Sequence, residues 1–146
     1  MLFRSKALPD LKEFSVLHLC GKGNLVKTVR ENYRQYEYLD NVGDAYAAAD
    51  VVVSRAGSGA LFEILALKKP SVVVPLEGSS RGDQVENAEY FARKGLCAVL
   101  RQNQLNHLAD AVRKAYQSQE LKGNLQKSEF QRGNEKIIGE LKAFLR

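Results

Sequence analysis

Three short segments of this 146-residue chain combine residue types that can hold an anionic ligand rich in hydroxyls. The first, Ser54-Arg55-Ala56-Gly57-Ser58-Gly59, follows the β-branched run Val51-Val52-Val53. The small residues Gly57, Ser58 and Gly59 let the backbone approach a ligand closely. Ser58 is placed to cap the helix that follows, whose free N–H groups then face an anion such as a phosphate. The segment is neither a Walker loop, since no GK[ST] follows, nor the dinucleotide fingerprint. Taken alone it reads equally well as a tight turn with a serine cap.

Glu63 lies five residues beyond Ser58. With Leu61, Ile64 and Leu65 on the core side of the helix, Gly59, Ala60 and Glu63 share the facing arc. A carboxylate beside a phosphate site can accept hydrogen bonds from both hydroxyls of a ribose; the plainer alternative is a surface glutamate favoured by the helix N-terminus. Asp83, Gln84 and Asn87 open the next helix, with Gln84 and Asn87 one turn apart, and suit a sugar as well as simple capping by Asp83. Two further loops leave strand ends, Gly21-Lys22-Gly23-Asn24 and Glu77–Gly82. His18 reads as a strand histidine with a hydrogen-bond partner and His107 as a surface residue. Neither combines with serine, cysteine or aspartate into a nucleophilic set.

These segments must be positioned by alternating strands and helices. Phe14–Leu19, Val51–Val53, Ser71–Val74 and Leu96–Leu100 read as strands, the valine runs as strands covered on both faces. Residues 25–34 read as a weak helix, Glu37-Tyr38-Leu39 as a short strand, and Asp44–Ala49 as a helical turn or two. A helix follows the Ser54–Gly59 loop and runs through about Leu67, with Lys68-Lys69 suiting its negative end and Pro70 forbidding continuation. Another runs from Asp83 to Lys94 and stops at Gly95. Residues 104–118 bury one face through Leu105, Leu108, Ala109 and Val112, and Ile137, Ile138, Leu141, Phe144 and Leu145 form a final apolar stripe. The pattern is α/β: a Rossmann-like parallel sheet with helices on both faces, in a single domain over residues 1–146. In such sheets, ligands bind beyond the carboxyl ends of the strands.

Composition narrows the function classes. Hydrophobic residues are 45% and charged residues 27%, which excludes a disordered or fibrous chain. No apolar run approaches a bilayer span of roughly 20 residues, and the N-terminus MLFRSKALPD lacks a signal-peptide apolar region. Two cysteines, Cys20 and Cys97, fit a reducing compartment and no disulfide framework. With His18 and His107 they make no zinc spacing, so no metal is expected. The net charge of +5 comes from the two ends of the chain, while the middle is near neutral. Basic residues scattered in this way, with no tryptophan, argue against a nucleic-acid partner.

The segments HLCGKGN (18–24), AYAAADVVVSRAGSGALFEILALKKPSVVVP (45–75) and GDQVENAEYFARKG (82–95) resemble the C-terminal half of the MurG family. That family adds N-acetylglucosamine from UDP-N-acetylglucosamine to a lipid-linked muramyl-pentapeptide, forming lipid II for peptidoglycan. The likeness runs from about Leu8 to Leu145, and the segment GSSRGDQ resembles a Firmicutes-type variant. It implies the C-terminal, UDP-sugar-binding domain of a GT-B glycosyltransferase of family 28. By position, Glu63 would bind the ribose, and Arg55, Gly57, Ser58 and Gly59 would face the diphosphate. Leu39 would meet the uracil through its backbone. Asp83 and Gln84 would contact the N-acetylglucosamine with Asn87 as support; many family members carry glutamine where this chain has Asp83. No catalytic residue, cofactor or metal is assigned to this half. The leaving UDP would be stabilised by helix and loop donors, in keeping with the lack of a DxD motif.

The resemblance also implies what lies outside the likeness: the acceptor domain with its base and membrane-facing surface, and the first strand of this domain with its G-G-S loop. Loss of that strand would leave an apolar slot between the Phe14–Leu19 and Val51–Ser54 strands. Either the first slides across to pair with the second, giving a compact monomer, or the slot stays open and the chain self-associates or remains partly unfolded. The expected reading is the donor-binding half of an inverting N-acetylglucosaminyltransferase, inactive when isolated. It would be cytoplasmic, at most peripheral to the inner membrane face, and would meet the lipid acceptor only through a missing or separate N-terminal domain. The alternative is a non-catalytic UDP-sugar-binding subunit that needs a partner.

Overall fold

The computed structural model describes residues 10–27, 30–78, 83–130 and 134–144, with the side chains of 134–137 excepted. Readings that fall on Met1–Pro9, on Ser79–Gly82, or on the side chains of Ile137 and Leu145 lie outside the described residues. The strands are β1 (Val16–Leu19), β2 (Tyr33–Tyr36), β3 (Val52–Ser54), β4 (Ser71–Val73) and β5 (Ala98–Val99). The helices are α1 (Val42–Ala48), α2 (Ser58–Ala66), α3 (Asp83–Arg93), α4 (Leu108–Gln117), α5 (Gln119–Lys127) and α6 (Asn134–Phe144). A 3-10 segment, Gln102–His107, leads into α4.

All strand pairs are parallel, but they form two sheets. β1 pairs with β2, Val16 opposite Tyr33. β3, β4 and β5 form the second sheet, with β4 in the middle. β1 therefore does not slide across to β3. The Val16 and Cys20 N–H groups bond to Asn32 and Tyr36, so alternation turns the backbone groups of Leu17 and Leu19 away from β2. Val52 N–H bonds to Pro70 and Val74 N–H to Ser54, which turns Val53 away from β4 in the same manner. These residues also have exposed side chains, Leu17 at 50% and Val53 at 38%. The expectation that Val51–Val53 is covered on both faces thus holds for Val52 and fails for Val53, because β3 is an edge strand here.

β4 is the best-covered element. Ser71, Val72, Val73 and Val74 are all buried, and the core around them takes Leu61 and Leu65 from α2 and Ala88 and Phe91 from α3. Leu108, Ala109, Val112 and Ala115 of α4 belong to the same core, as do Leu121 and Leu125 of α5. The polar stretch after Ser118 is helical because Ser118 caps it, its Oγ accepting from Leu121 N–H at 3.1 Å.

Several local expectations are corrected. The second strand is Tyr33–Tyr36, not Glu37-Tyr38-Leu39, and the described part of 25–34 contains no helix. Tyr33 is buried, and Asn32 Nδ2 donates to the Lys12 and Phe14 carbonyls at 2.7 Å, which fixes this segment beside β1. Residues 104–118 are not one helix but a 3-10 turn followed by α4. The final stripe forms α6, yet Ile138, Leu141 and Phe144 are exposed. Lys68 and Lys69 do not serve α2. That helix ends in a Schellman turn, with Lys68 N–H to Leu65 and Lys69 N–H to Ile64, and Lys68 in the left-handed region at φ 55. Lys68 Nζ instead reaches the carbonyl and hydroxyl of Ser128 after α5, and Lys69 Nζ reaches α1.

Gly95 ends α3 as expected, with φ +65 and the Gly95 and Leu96 N–H groups bonded to Ala92 and Phe91. A Cβ there would collide with Asn124 Nδ2. Gly95→Ala should therefore destabilise the chain by about 1–2 kcal/mol, the cost of a left-handed non-glycine residue, as read by urea unfolding. Among the described residues, Ser71 Oγ is buried without a hydrogen-bond partner. Ser71→Ala removes an unsatisfied hydroxyl, so the same assay should show no loss, or a gain of up to about 1 kcal/mol.

Candidate functional site

Because β3 and β4 are parallel neighbours in register (Val52 opposite Ser71), their carboxyl ends open side by side. The loop after β3 carries Arg55, Ala56 and Gly57 into α2, and the loop after β4 leads to α3. Arg55 Nη1 donates to the Val74 carbonyl at 3.3 Å, tying the two strand ends together. Asn87 Nδ2 donates to the Ala56 carbonyl at 3.2 Å, tying α3 to the loop that opens α2. The two helix starts are thus held as one unit by side chains from both.

Gly57, not Ser58, occupies the N-cap of α2, with extended backbone and no side-chain cap. Ser58 is the first helical residue and is exposed. The helix repeat begins with Leu61 N–H to the Gly57 carbonyl, so the Ser58, Gly59 and Ala60 N–H groups point out of the helix start. Replacing the expected serine cap with glycine leaves these donors without an internal acceptor. Glu63 is exposed while Leu61, Ile64 and Leu65 are fully buried, so the carboxylate shares the open side of α2 with Gly59. Tyr46 of α1 stands near it: burial, and behind it the Glu63 charge, raise the phenol above its ordinary value.

At the other helix, Asp83 Oδ1 accepts from Gln84 N–H at 2.9 Å. Gln84 Oε1 accepts from Leu76 N–H at 3.0 Å, and the side chain is half-buried with its amide nitrogen as a further donor. Leu39 is half-buried in the turn between β2 and α1. Arg101, which the sequence reading passed over, braces this side: its guanidinium lies 3.8 Å from Glu77 and 2.5 Å from Glu89. Its position just after β5, at the same end of the sheet as the β4 loop, is the signal that could have found it.

The remaining candidates separate from this cluster. In the Gly21–Asn24 turn, Gly21 and Gly23 take left-handed φ and the Gly23 N–H already donates to the Glu37 carboxylate. His18 Nδ1 lies 2.6 Å from the Tyr33 hydroxyl, in keeping with a partnered strand histidine, and His107 is exposed. Burial pushes the Cys97 thiol up to about 12, so it is no nucleophile at neutral pH. Among the described residues, no group of three acidic, histidine or cysteine side chains could hold a metal ion. No helix among them is long and apolar enough to cross a membrane. A surface cleft of about 500 Å³ lined by Lys94, Leu96, Asn124 and Phe130 lies toward the amino end of β5, away from the loops above.

The family model for the glycosyltransferase family 28 C-terminal domain matches residues 4–140. A UDP-N-acetylglucosamine–N-acetylmuramyl-(pentapeptide) pyrophosphoryl-undecaprenol N-acetylglucosamine transferase of Clostridium perfringens (strain SM101 / Type A) is 49% identical over 100 residues, covering 66% of this chain and 28% of that protein. The transferase of the same name from Clostridium tetani (strain Massachusetts / E88) is 39% identical over 145 residues, 94% of this chain and 40% of that protein. This chain therefore spans well under half the length of these relatives. Among solved structures, Acinetobacter baumannii MurG superposes with a TM-score of 0.72 at 20% identity, over 94% of this chain and 44% of that one. A calicheamicin glycosyltransferase gives 0.81 at 19% identity, over 99% of this chain and 39% of that one. These two likenesses speak for the fold, which is that of a GT-B glycosyltransferase domain. With a family model matched over nearly all its length, the chain belongs to the glycosyltransferase family 28 C-terminal domain family.

Proposed function

We propose that the chain binds UDP-N-acetylglucosamine as the donor half of an inverting N-acetylglucosaminyltransferase acting on a lipid-linked pyrophosphoryl muramyl-pentapeptide. One observation carries this reading. The outward N–H groups at the start of α2 and the open carboxylate of Glu63 lie on the same side of one helix, at the carboxyl end of β3. An anion and a diol separated by about one to one and a half helical turns fit that spacing, as the diphosphate and ribose of a nucleoside diphosphate do. The printed names of the relatives add the substrate class.

In this reading the diphosphate sits on the Ser58–Ala60 N–H groups with Arg55 beside it, and the ribose hydroxyls donate to Glu63. Leu39 meets the uracil through its backbone. Gln84 and Asp83 reach the sugar, and Asn87 holds the two loops at fixed separation. When the acceptor hydroxyl attacks the anomeric carbon, the bond to the diphosphate breaks and UDP leaves with its electron pair. The α2 donors meet the charge that develops on that oxygen. In this reading the base and the lipid site belong to an N-terminal acceptor domain, and the transfer takes place at the cytoplasmic face of the membrane.

Replacing Glu63 by alanine should weaken UDP binding by about 1–3 kcal/mol with little change in melting temperature, because the side chain is exposed and packs no core. Calorimetry giving equal UDP affinities for the two proteins would remove the ribose role. Gln84→Ala should lower affinity for UDP-N-acetylglucosamine and spare UDP. Equal losses for both ligands would mean that Gln84 works through its tie to Leu76. The transferase reading itself is tested by supplying an acceptor domain in trans with lipid I and assaying lipid II. Product from the pair and none from either part is the expected result. UDP-sugar binding with no product from the pair would favour a binding subunit.

A further inference from the structure

α1 is the least anchored helix next to the donor site. It has seven residues, none of them buried, no side-chain cap at Asn41, and no basic residue of its own in the last turn. Propensity does not hold a helix this short in place; packing or capping must. It starts three residues after Leu39, at the site end of the sheet, and runs toward the opposite end, where β3 begins. There its terminal carbonyls meet an ammonium from the turn that follows α2. Lys69 Nζ donates to the Ala47 carbonyl at 2.5 Å and to the Ala49 carbonyl at 3.0 Å. These are charge-assisted bonds to the negative end of the helix.

The direction of Lys69 follows from the strained turn before it. Lys68 adopts φ 55, a conformation that costs a non-glycine residue about 1–2 kcal/mol. With that turn, the two lysines reach opposite ways, Lys68 to Ser128 and Lys69 to α1. Between its two ends α1 carries Tyr46, whose phenol feels the Glu63 carboxylate. The far end of α1 is thus pinned by the same α2 unit that carries Glu63.

We propose that Lys69 is a positioning residue for the nucleoside end of the donor site: by clamping the C-terminus of α1 it fixes the helix that follows the Leu39 turn and carries Tyr46. This inference rests on the donor reading above. Lys69 touches no ligand and acts only through α1.

The test uses Lys69→Met, which keeps an unbranched stem and removes the ammonium, and Lys69→Arg, which keeps donors and charge. Calorimetry with UDP should show binding weakened by about tenfold in Lys69→Met and largely restored in Lys69→Arg. Amide exchange over residues 42–49 should speed up in the methionine variant and return toward wild type in the arginine variant. In a Glu63→Ala background, Lys69→Met should cost much less, because both changes act on the same contact. Equal UDP affinity in wild type and Lys69→Met would overturn the proposal even if α1 exchange quickened. Additive losses in the double variant would overturn it too. If the wild-type chain binds no UDP, the donor reading fails and takes this inference with it, a result distinct from binding that ignores Lys69.

Discussion

The arrangement of the candidate site depends on the burial of β4. Four consecutive residues, Ser71 to Val74, are covered on both faces and flanked by β3 and β5. It is parallel to both neighbours, and a parallel sheet is covered by helices on both faces. Given that, the loops that leave β3 and β4 have no choice but to open at the same end, beside each other. Apart from Leu39, the residues assigned to ligand binding, from Arg55 to Asn87, sit on those two loops or on the first two turns of the helices they start.

Side chains then convert adjacency into geometry. Arg55 and Asn87 each bond to a backbone carbonyl across the gap, Gln84 holds Leu76, and Arg101 braces Glu77 against Glu89. These contacts are partly exposed, and each contributes little to stability. Their effect is positional: they fix where the outward N–H groups of α2 stand relative to the polar face of α3. The other sheet contributes differently. β1 presents Leu17 and Leu19 outward and β3 presents Val53, so each carries exposed apolar side chains beside an edge that is unpaired among the described residues. Two parallel edges with exposed apolar side chains are a feature that a chain avoids unless something covers them.

Much of this was legible in the sequence, and the reasons differ by segment. Val72–Val74 is a continuous β-branched run ended by Pro75, which few structures other than a buried parallel strand accommodate. Gly95 closing α3 and Asp83 opening it are local rules with local causes. β2 was misplaced because Tyr33-Arg34-Gln35-Tyr36 carries no apolar run; it is a strand through the burial of Tyr33 and the bonds of Asn32, both tertiary facts. Ser58 was taken as the cap when Gly57 is, a shift of one residue that chemistry alone does not decide. Lys68 and Lys69 were assigned to their own helix by proximity along the chain, whereas the left-handed turn sends them to α5 and α1. Arg101 was missed because its partners, Glu77 and Glu89, lie 24 and 12 residues away.

The central claim is that a nucleotide sugar binds across the starts of α2 and α3. The most direct measurement is amide chemical-shift mapping of the chain titrated with UDP-N-acetylglucosamine. The account predicts the largest shifts at Arg55–Ala60, Glu63 and Gln84–Asn87, with smaller ones at the Leu39 turn. Shifts confined to the cleft around Lys94, Asn124 and Phe130, or no saturable shift at all, would contradict it.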